Sequence, residues 1–279
     1  MAKKKADEDA PVLPPGIKLD PRGTRYYDIL DSKSGERIIR VGHYQDPDIH
    51  NPEGVSRFMD FLPTFRDQVD RGVFKTLIFD GVSFASIAAR KYSEYDLNED
   101  FKDPRKHHGA ATDMLEEMLA CELPALACNV GVAMHVSKIK VEAEGSMVRA
   151  PHAPGRLRDM LAGAFPEVYR LHVVESEKEK GTKLRILQTD ADDKWLAGTC
   201  IDAPDNMVVH RDDPNRTWER LWSKWKGDRH PWHGIIYSEP LAGKSTAFCM
   251  LPKPMYVALF DGFGKDAAYR RRGTLKIAA

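Results

Sequence analysis

An α/β fold is predicted for this 279-residue sequence, with a mostly parallel central sheet flanked by helices and antiparallel strands at one edge. Three observations predict it. The segments at 74–79, 128–134, 235–237 and 255–260 are short and mostly apolar without strict alternation, as strands covered on both faces are. Ahead of the first of them lies a segment with apolar residues at helical spacing, at positions 55, 58, 61, 62, 65 and 69. Finally, the run at 235–237 enters a tight loop closed by Gly243-Lys244-Ser245-Thr246, followed by a helical segment that stops at Pro252 and Pro254 and by another apolar run. That is strand, loop, helix, strand.

Composition narrows the class. Lys and Arg number 42 against 42 Asp and Glu, so no global field marks a nucleic-acid or membrane-surface protein. Cys121, Cys128, Cys200 and Cys249 form no C-x-x-C pair, which argues against a zinc site or a disulfide framework. Small buried thiols in a reducing cytosol are expected instead. No apolar run approaches the roughly 18 residues of a membrane span and no signal peptide opens the sequence, so a soluble intracellular protein is expected.

Residues 1–20 are Lys-rich, then acidic, then Pro-rich, a composition expected to form a disordered tail. A single domain is expected over 21–279. Runs at 26–30 and 37–44 around Ser32-Lys33-Ser34-Gly35 read as a hairpin, and 53–71 as a helix limited or kinked at Pro63. The strand from Phe74 ends on Asp80, where the carboxyl edge of a parallel sheet places ligand-binding groups. Asp80 there either holds Mg²⁺ or caps the next helix. Helices are expected at 84–97 and 106–121, with Met114 and Met118 in the core and His107-His108 on the surface.

The strand at 128–134 ends on His135, which either reads a phosphate or bonds backbone. Residues 136–156, with Lys138, Lys140, Arg149 and Arg156 among Gly and Pro, read as a long mobile loop, solvated or touching nucleic acid. A helix at 156–163, strands at 167–174, 183–189 and about 195–200, and a loop at 201–216 follow. Connections this short make the strands antiparallel. Trp218, Leu221, Trp222 and Trp225 mark a short amphipathic helix, with core the commoner use of such aromatics.

The chemistry lies in the loop Ser238-Glu239-Pro240-Leu241-Ala242-Gly243-Lys244-Ser245-Thr246. Successive backbone amides cradle phosphate oxygens, Lys244 adds a point charge at the β/γ-phosphates, and the Ser245 hydroxyl is suited to Mg²⁺. The pattern G-x-x-x-x-G-K-[ST] departs here at Ser238, where it asks for glycine.

The order of parts is unusual. Phosphate-loop proteins carry the loop first and the Asp-ended strand later, yet Lys244 follows Asp80 by 164 residues. The segment 232–279 is too small to stand alone. It is expected to supply the missing phosphate-loop unit to the sheet of 37–203, making the chain a circular permutant. Arg22-Gly23-Thr24 and Arg272-Gly273-Thr274 repeat near the two ends.

Joined end to start, the loop unit, the run 257–261 with Gly262, Asp266, Tyr269 and Arg272-Gly273, the strand 77–80, the run 132–135 and Pro154-Gly155-Arg156-Leu157 fall into a familiar order. In this order the chain resembles the phage-encoded RecA-like ATP-binding proteins, relatives of single-strand annealing and recombination ATPases. The resemblance covers about 230–277 and 37–203. It implies a RecA-type core, ATP with Mg²⁺, a hexameric or filamentous homo-oligomer, single-stranded DNA as partner, and action in recombination, repair or replication within the cytoplasm of a bacterial host.

It also implies roles. Loop residues 238–246 bind nucleotide, Ser245 and Asp80 hold Mg²⁺, Lys244 neutralises phosphate charge, and His135 reads the γ-phosphate. RecA-type enzymes set a catalytic Glu past the strand after the phosphate-loop helix; this chain has Asp261 there, the candidate to orient water. A neighbouring subunit could supply an arginine, with Arg185 one candidate. Two rivals stand beside the ATPase. One is a nucleotide-dependent DNA-binding or scaffold protein without turnover. The other is a dinucleotide-binding enzyme using Gly262-Phe263-Gly264-Lys265-Asp266-Ala267.

Overall fold

The computed structural model describes residues 26–30, 37–41, 44, 53–95, 104–141, 146–176, 181–209, 217, 220–221, 225, 231–240, 242, 244–248, 251–252 and 254–260. Within them the chain is α/β, with a mostly parallel mixed sheet flanked by helices. The strands are β1 (Tyr26–Leu30), β2 (Arg37–Val41), β3 (Thr76–Asp80), β4 (Asn129–Val141), β5 (Ser146–Pro151), β6 (Glu167–Glu175), β7 (Lys183–Gln188), β8 (Asn206–Val209), β9 (His233–Ser238) and β10 (Met255–Leu259). The helices are α1 (Gly54–Asp70), α2 (Val82–Tyr95), α3 (Pro104–Glu116), α4 (Leu157–Ala164) and α5 (Lys244–Phe248).

Across the sheet the order is β1-β2-β10-β3-β4-β9-β6-β7-β8, with β5 on β4. The six strands from β2 to β6 are mutually parallel. Antiparallel strands close both ends rather than one, because β1 folds back on β2 while β7 and β8 extend β6. Late strands fill early gaps: β10 lies between β2 and β3, and β9 between β4 and β6.

Burial explains the continuous apolar runs. Along β3, Leu77 and Phe79 pack into the core under α1–α4, whereas Ile78 packs into the core on the opposite face. β10 divides the same way, with Tyr256 and Ala258 on the α1–α4 side and Met255, Val257 and Leu259 on the other. Both faces therefore demand apolar residues and period-two alternation disappears. The α1 side is aromatic: Phe58, Phe79, Tyr44 and Phe260 pack with ring centroids 4.5–5.8 Å apart. Such ring pairs add about 0.5–1.5 kcal/mol each beyond area burial. The opposite face is covered by α5 together with Leu221, Trp225 and Trp232, which supports the core reading of Leu221 and Trp225. Trp218 and Trp222 lie outside the described residues.

Several expectations change. The segment 136–156 is not one long loop: β4 runs on to Val141 and pairs antiparallel with β5 before α4 begins. Interspersed charges hid this hairpin from a search for apolar alternation. His135 consequently sits inside β4 rather than at its tip. Residues 195–200 make isolated bridges instead of a strand, and the four-residue β8 appears in the expected loop. His107 is buried and pairs through Nδ1 with the Ser93 carbonyl at 2.9 Å, so only His108 of that pair is exposed. Cys128 is buried as expected, but Cys121 and Cys200 are exposed. Pro63 lies within α1 on an exposed position and α1 continues through it. The tail 1–20 lies outside the described residues.

Gly131 is required by close approach. A Cβ there would stand 2.6 and 2.7 Å from two ring carbons of Phe248 and 2.9 Å from Ile78 Cδ1. The absent side chain lets α5, the helix after the candidate phosphate loop, lie against β4. Gly131→Ala is expected to cost about 1–3 kcal/mol through overpacking, read as a lower urea midpoint at unchanged m-value.

Candidate functional site

The parallel strands end on one edge, where ligands of open α/β sheets bind. Register places the tips. Ser238, the last residue of β9, pairs with His135 of β4, and Asp80, the last residue of β3, pairs with Ala133 of β4. Asp80 and the loop leaving β9 thus share one sheet edge with a single strand between them. Two strand spacings separate their backbones laterally by about 10 Å. β10 ends beside Asp80, where the Phe260 amide donates to the Asp80 carbonyl at 2.9 Å.

Lys244 is buried, 9% exposed, with its ammonium turned back into the loop. Nζ donates to Ser238 Oγ at 3.0 Å and approaches the carbonyls of Ser238 and Glu239 at 3.4 and 3.5 Å. Ser238 is itself buried, and its hydroxyl donates to the Glu239 carbonyl at 2.8 Å. The serine that departs from the glycine pattern therefore has a use: its oxygen helps hold the lysine. Ala242 closes the described part of the loop, its amide reaching the Glu239 carbonyl at 3.4 Å. Ser245 and Thr246 lie in α5, and their side chains fall outside the description. Leu241, Gly243 and Asp261 lie outside the described residues altogether, as do Gly262 to Ala267 of the dinucleotide pattern. Glu239 and Pro240 are exposed beyond the tip of β9.

Asp80 is 9% exposed and is followed by Gly81 at φ 113°, a left-handed turn that starts α2. Around this tip, His152 Nδ1 meets Ser83 Oγ at 3.2 Å, the His152 amide donates to the His135 carbonyl at 2.7 Å, and the His135 ring stands edge-on to Phe84. The start of α2 and the base of the β4–β5 hairpin are thereby joined beside Asp80. Among the described residues no group of three or more His, Cys, Asp or Glu gathers to hold a metal. Mg²⁺ with a nucleotide asks for one or two protein oxygens, the rest coming from phosphate and water, and a carboxylate at the strand tip such as Asp80 is of the right chemistry for one of them.

On the other side of β9 three contacts were beyond sequence reasoning. Arg185 of β7 donates from Nε to the Ala242 carbonyl at 3.0 Å, so this candidate for an arginine supplied by a neighbour engages the loop of its own chain. Trp195 lies under two guanidinium groups, with Arg170 Cζ 3.2 Å and Arg149 Cζ 4.7 Å from its ring centroid. Arg149 belongs to the hairpin, whereas Arg156 is tied to Glu116 at 2.6 and 2.8 Å and to Asp113 at 3.1 Å. At the opposite sheet edge, the buried Glu167 carboxylate accepts from Tyr169, from Thr199 Oγ1 at 2.5 Å, and from the Cys200 amide and thiol at 3.0 and 2.9 Å. That carboxylate pins the 196–201 segment and has all its donors within the protein.

Comparison with family models, curated proteins and solved structures finds no match. The site must be read from its own chemistry. No helix among the described residues is long and apolar enough to cross a membrane.

His172, two residues along β6 from Arg170, has its pKa pushed down to about 4, first by burial and then by the Arg170 charge, against a partial lift from Asp192. The unfolded chain binds this proton near pH 6.5 and the folded chain only near 4, so stability falls as pH drops through that window. Burial lowers His233 as well, with the same sign. His172→Asn is expected to flatten part of the fall in urea midpoint between pH 7 and 4.5.

Proposed function

We propose that the chain is a phosphate-loop protein that binds ATP with Mg²⁺ at the carboxyl edge of β9, β4 and β3. The observation that carries this reading is the placement of the Lys244 loop and Asp80 on one parallel edge, one strand apart. Residues 238–246 would hold the triphosphate, with Lys244 moving from its contacts on Ser238 to the phosphate oxygens. Ser245 and Asp80 would hold the metal, Asp80 directly or through water, and His135 would read the γ-phosphate. Bound metal would supply charge neutralisation on the phosphates. Asp261, one position past Phe260, remains the proposed group for orienting water.

The finer reading is a RecA-like core in circularly permuted order. What supports it is that β9 and β10 make no body of their own. They occupy slots between strands of the segment 37–175, and read from residue 233 the loop precedes the Asp-ended strand. Single-stranded DNA, a ring or filament of copies, and a role in phage recombination, repair or replication follow as part of this proposal.

Equilibrium binding of a fluorescent ATP analogue, with Mg²⁺ and with chelator, tests it. Saturable, metal-dependent binding is the expected result, and no binding up to millimolar nucleotide would remove the proposal. Phosphate release with and without single-stranded DNA then separates turnover from binding that only sets conformation.

A further inference from the structure

We propose that Arg185 is a positioning residue for the phosphate loop, acting from β7 within its own chain; this rests on the nucleotide reading above. The geometry begins with strand length. Arg170 of β6 pairs with Tyr237 of β9, and Val173 of β6 pairs with Arg185 of β7. Val173 lies three residues beyond Arg170, whereas β9 ends one residue beyond Tyr237. Strands β6 and β7 therefore overrun β9, and Arg185 stands beside the loop rather than beside the strand.

From there its Nε–H donates to the Ala242 carbonyl at 3.0 Å. Ala242 is buried and lies two residues before Lys244. The loop's own bond at this point, Ala242 amide to Glu239 carbonyl, is long at 3.4 Å. The charge-assisted bond from Arg185 is the shorter of the two, and bonds to a charged partner are the stronger class. A planar trans peptide aims its N–H opposite to its carbonyl. Holding this carbonyl toward β7 fixes the plane of the peptide that follows Ala242, two residues before Lys244. A cradle made of backbone amides works only if those planes are already oriented, since ordering them on binding subtracts from affinity. Arg185 keeps its charge at every physiological pH, so the clamp does not switch with protonation.

The role is positional, and it predicts a particular split. Arg185→Ala is expected to raise Kd for ATP and ADP analogues by the same factor, on the order of 10-fold. Phosphate release at saturating nucleotide should stay within about twofold. Arg185→Lys, whose single-point cation lacks the planar fork, should fall between Arg185→Ala and the wild type. Hydrogen exchange in nucleotide-free protein gives a readout independent of binding: amides around Ala242 should exchange faster in both variants, with β3 unchanged.

Equal Kd and equal exchange in the variants and the wild type would overturn the inference. So would a collapse of phosphate release at unaltered Kd, which would put Arg185 on the transferring phosphate. If Arg185→Ala does not fold, Arg185→Lys carries the same comparison. A wild-type chain that binds no nucleotide overturns this inference and the proposed function together, and it is read from the wild-type arm alone.

Discussion

Replacing Lys244 with alanine is expected to abolish measurable binding of a labelled ATP analogue. The substitution removes a buried ammonium that already lies within the loop, on Ser238 Oγ at 3.0 Å. A charge-assisted bond to phosphate contributes about 1.5–3 kcal/mol, and Lys244 is placed to make more than one, so a loss of 100-fold or more in Kd follows. Removing the ammonium also releases Ser238 and Glu239, whose oxygens it gathers. Arginine is not expected to substitute, because its planar fork presents its donors in a different geometry from the compact ammonium that meets Ser238 and Glu239. Circular dichroism should show the fold retained, since the polar contacts of the ammonium are with Ser238 and Glu239 of the loop. Affinity unchanged by Lys244→Ala would end the nucleotide reading.

The second large effect concerns Asp80. Asp80→Asn keeps the volume and removes the charge at the tip of β3. If Asp80 holds the metal or its water, affinity measured in chelator should be untouched, while the gain on adding Mg²⁺ should shrink by about 10–100-fold, the usual scale for a partner of a bound metal. Phosphate release should fall at least as far. The alternative, an aspartate that only starts α2, predicts the opposite pattern: a lower melting temperature with the metal dependence intact. A titration of analogue with and without Mg²⁺ separates the two.

Much of the central sheet is legible in the sequence because strands covered on both faces must be apolar at every position. Leu77, Ile78 and Phe79 show this, packing alternately into the two cores. The hairpin of β4 and β5 is not legible for the opposite reason. In its sequence Lys138 and Lys140 interrupt any apolar pattern. β8 is missed because four residues carry too little periodicity to detect. Of the candidate site, the loop and Asp80 are legible as local patterns. The bond from Arg185 to Ala242 is not, because it spans 57 positions and depends on how far β6 and β7 overrun β9. Nor does the sequence reveal that Ser238, read as a departure from the glycine pattern, supplies an oxygen to Lys244.

The interleaving of late strands with early ones has a consequence for synthesis on the ribosome. Until residues 233–259 emerge, β2 and β3 lack the strand that joins them, as do β4 and β6. A nascent chain therefore carries two vacant lanes bordered by unsatisfied backbone groups, the kind of edge that recruits strands from other molecules. Closure of both lanes by this later-made segment couples the formation of the Lys244 loop to completion of the whole sheet.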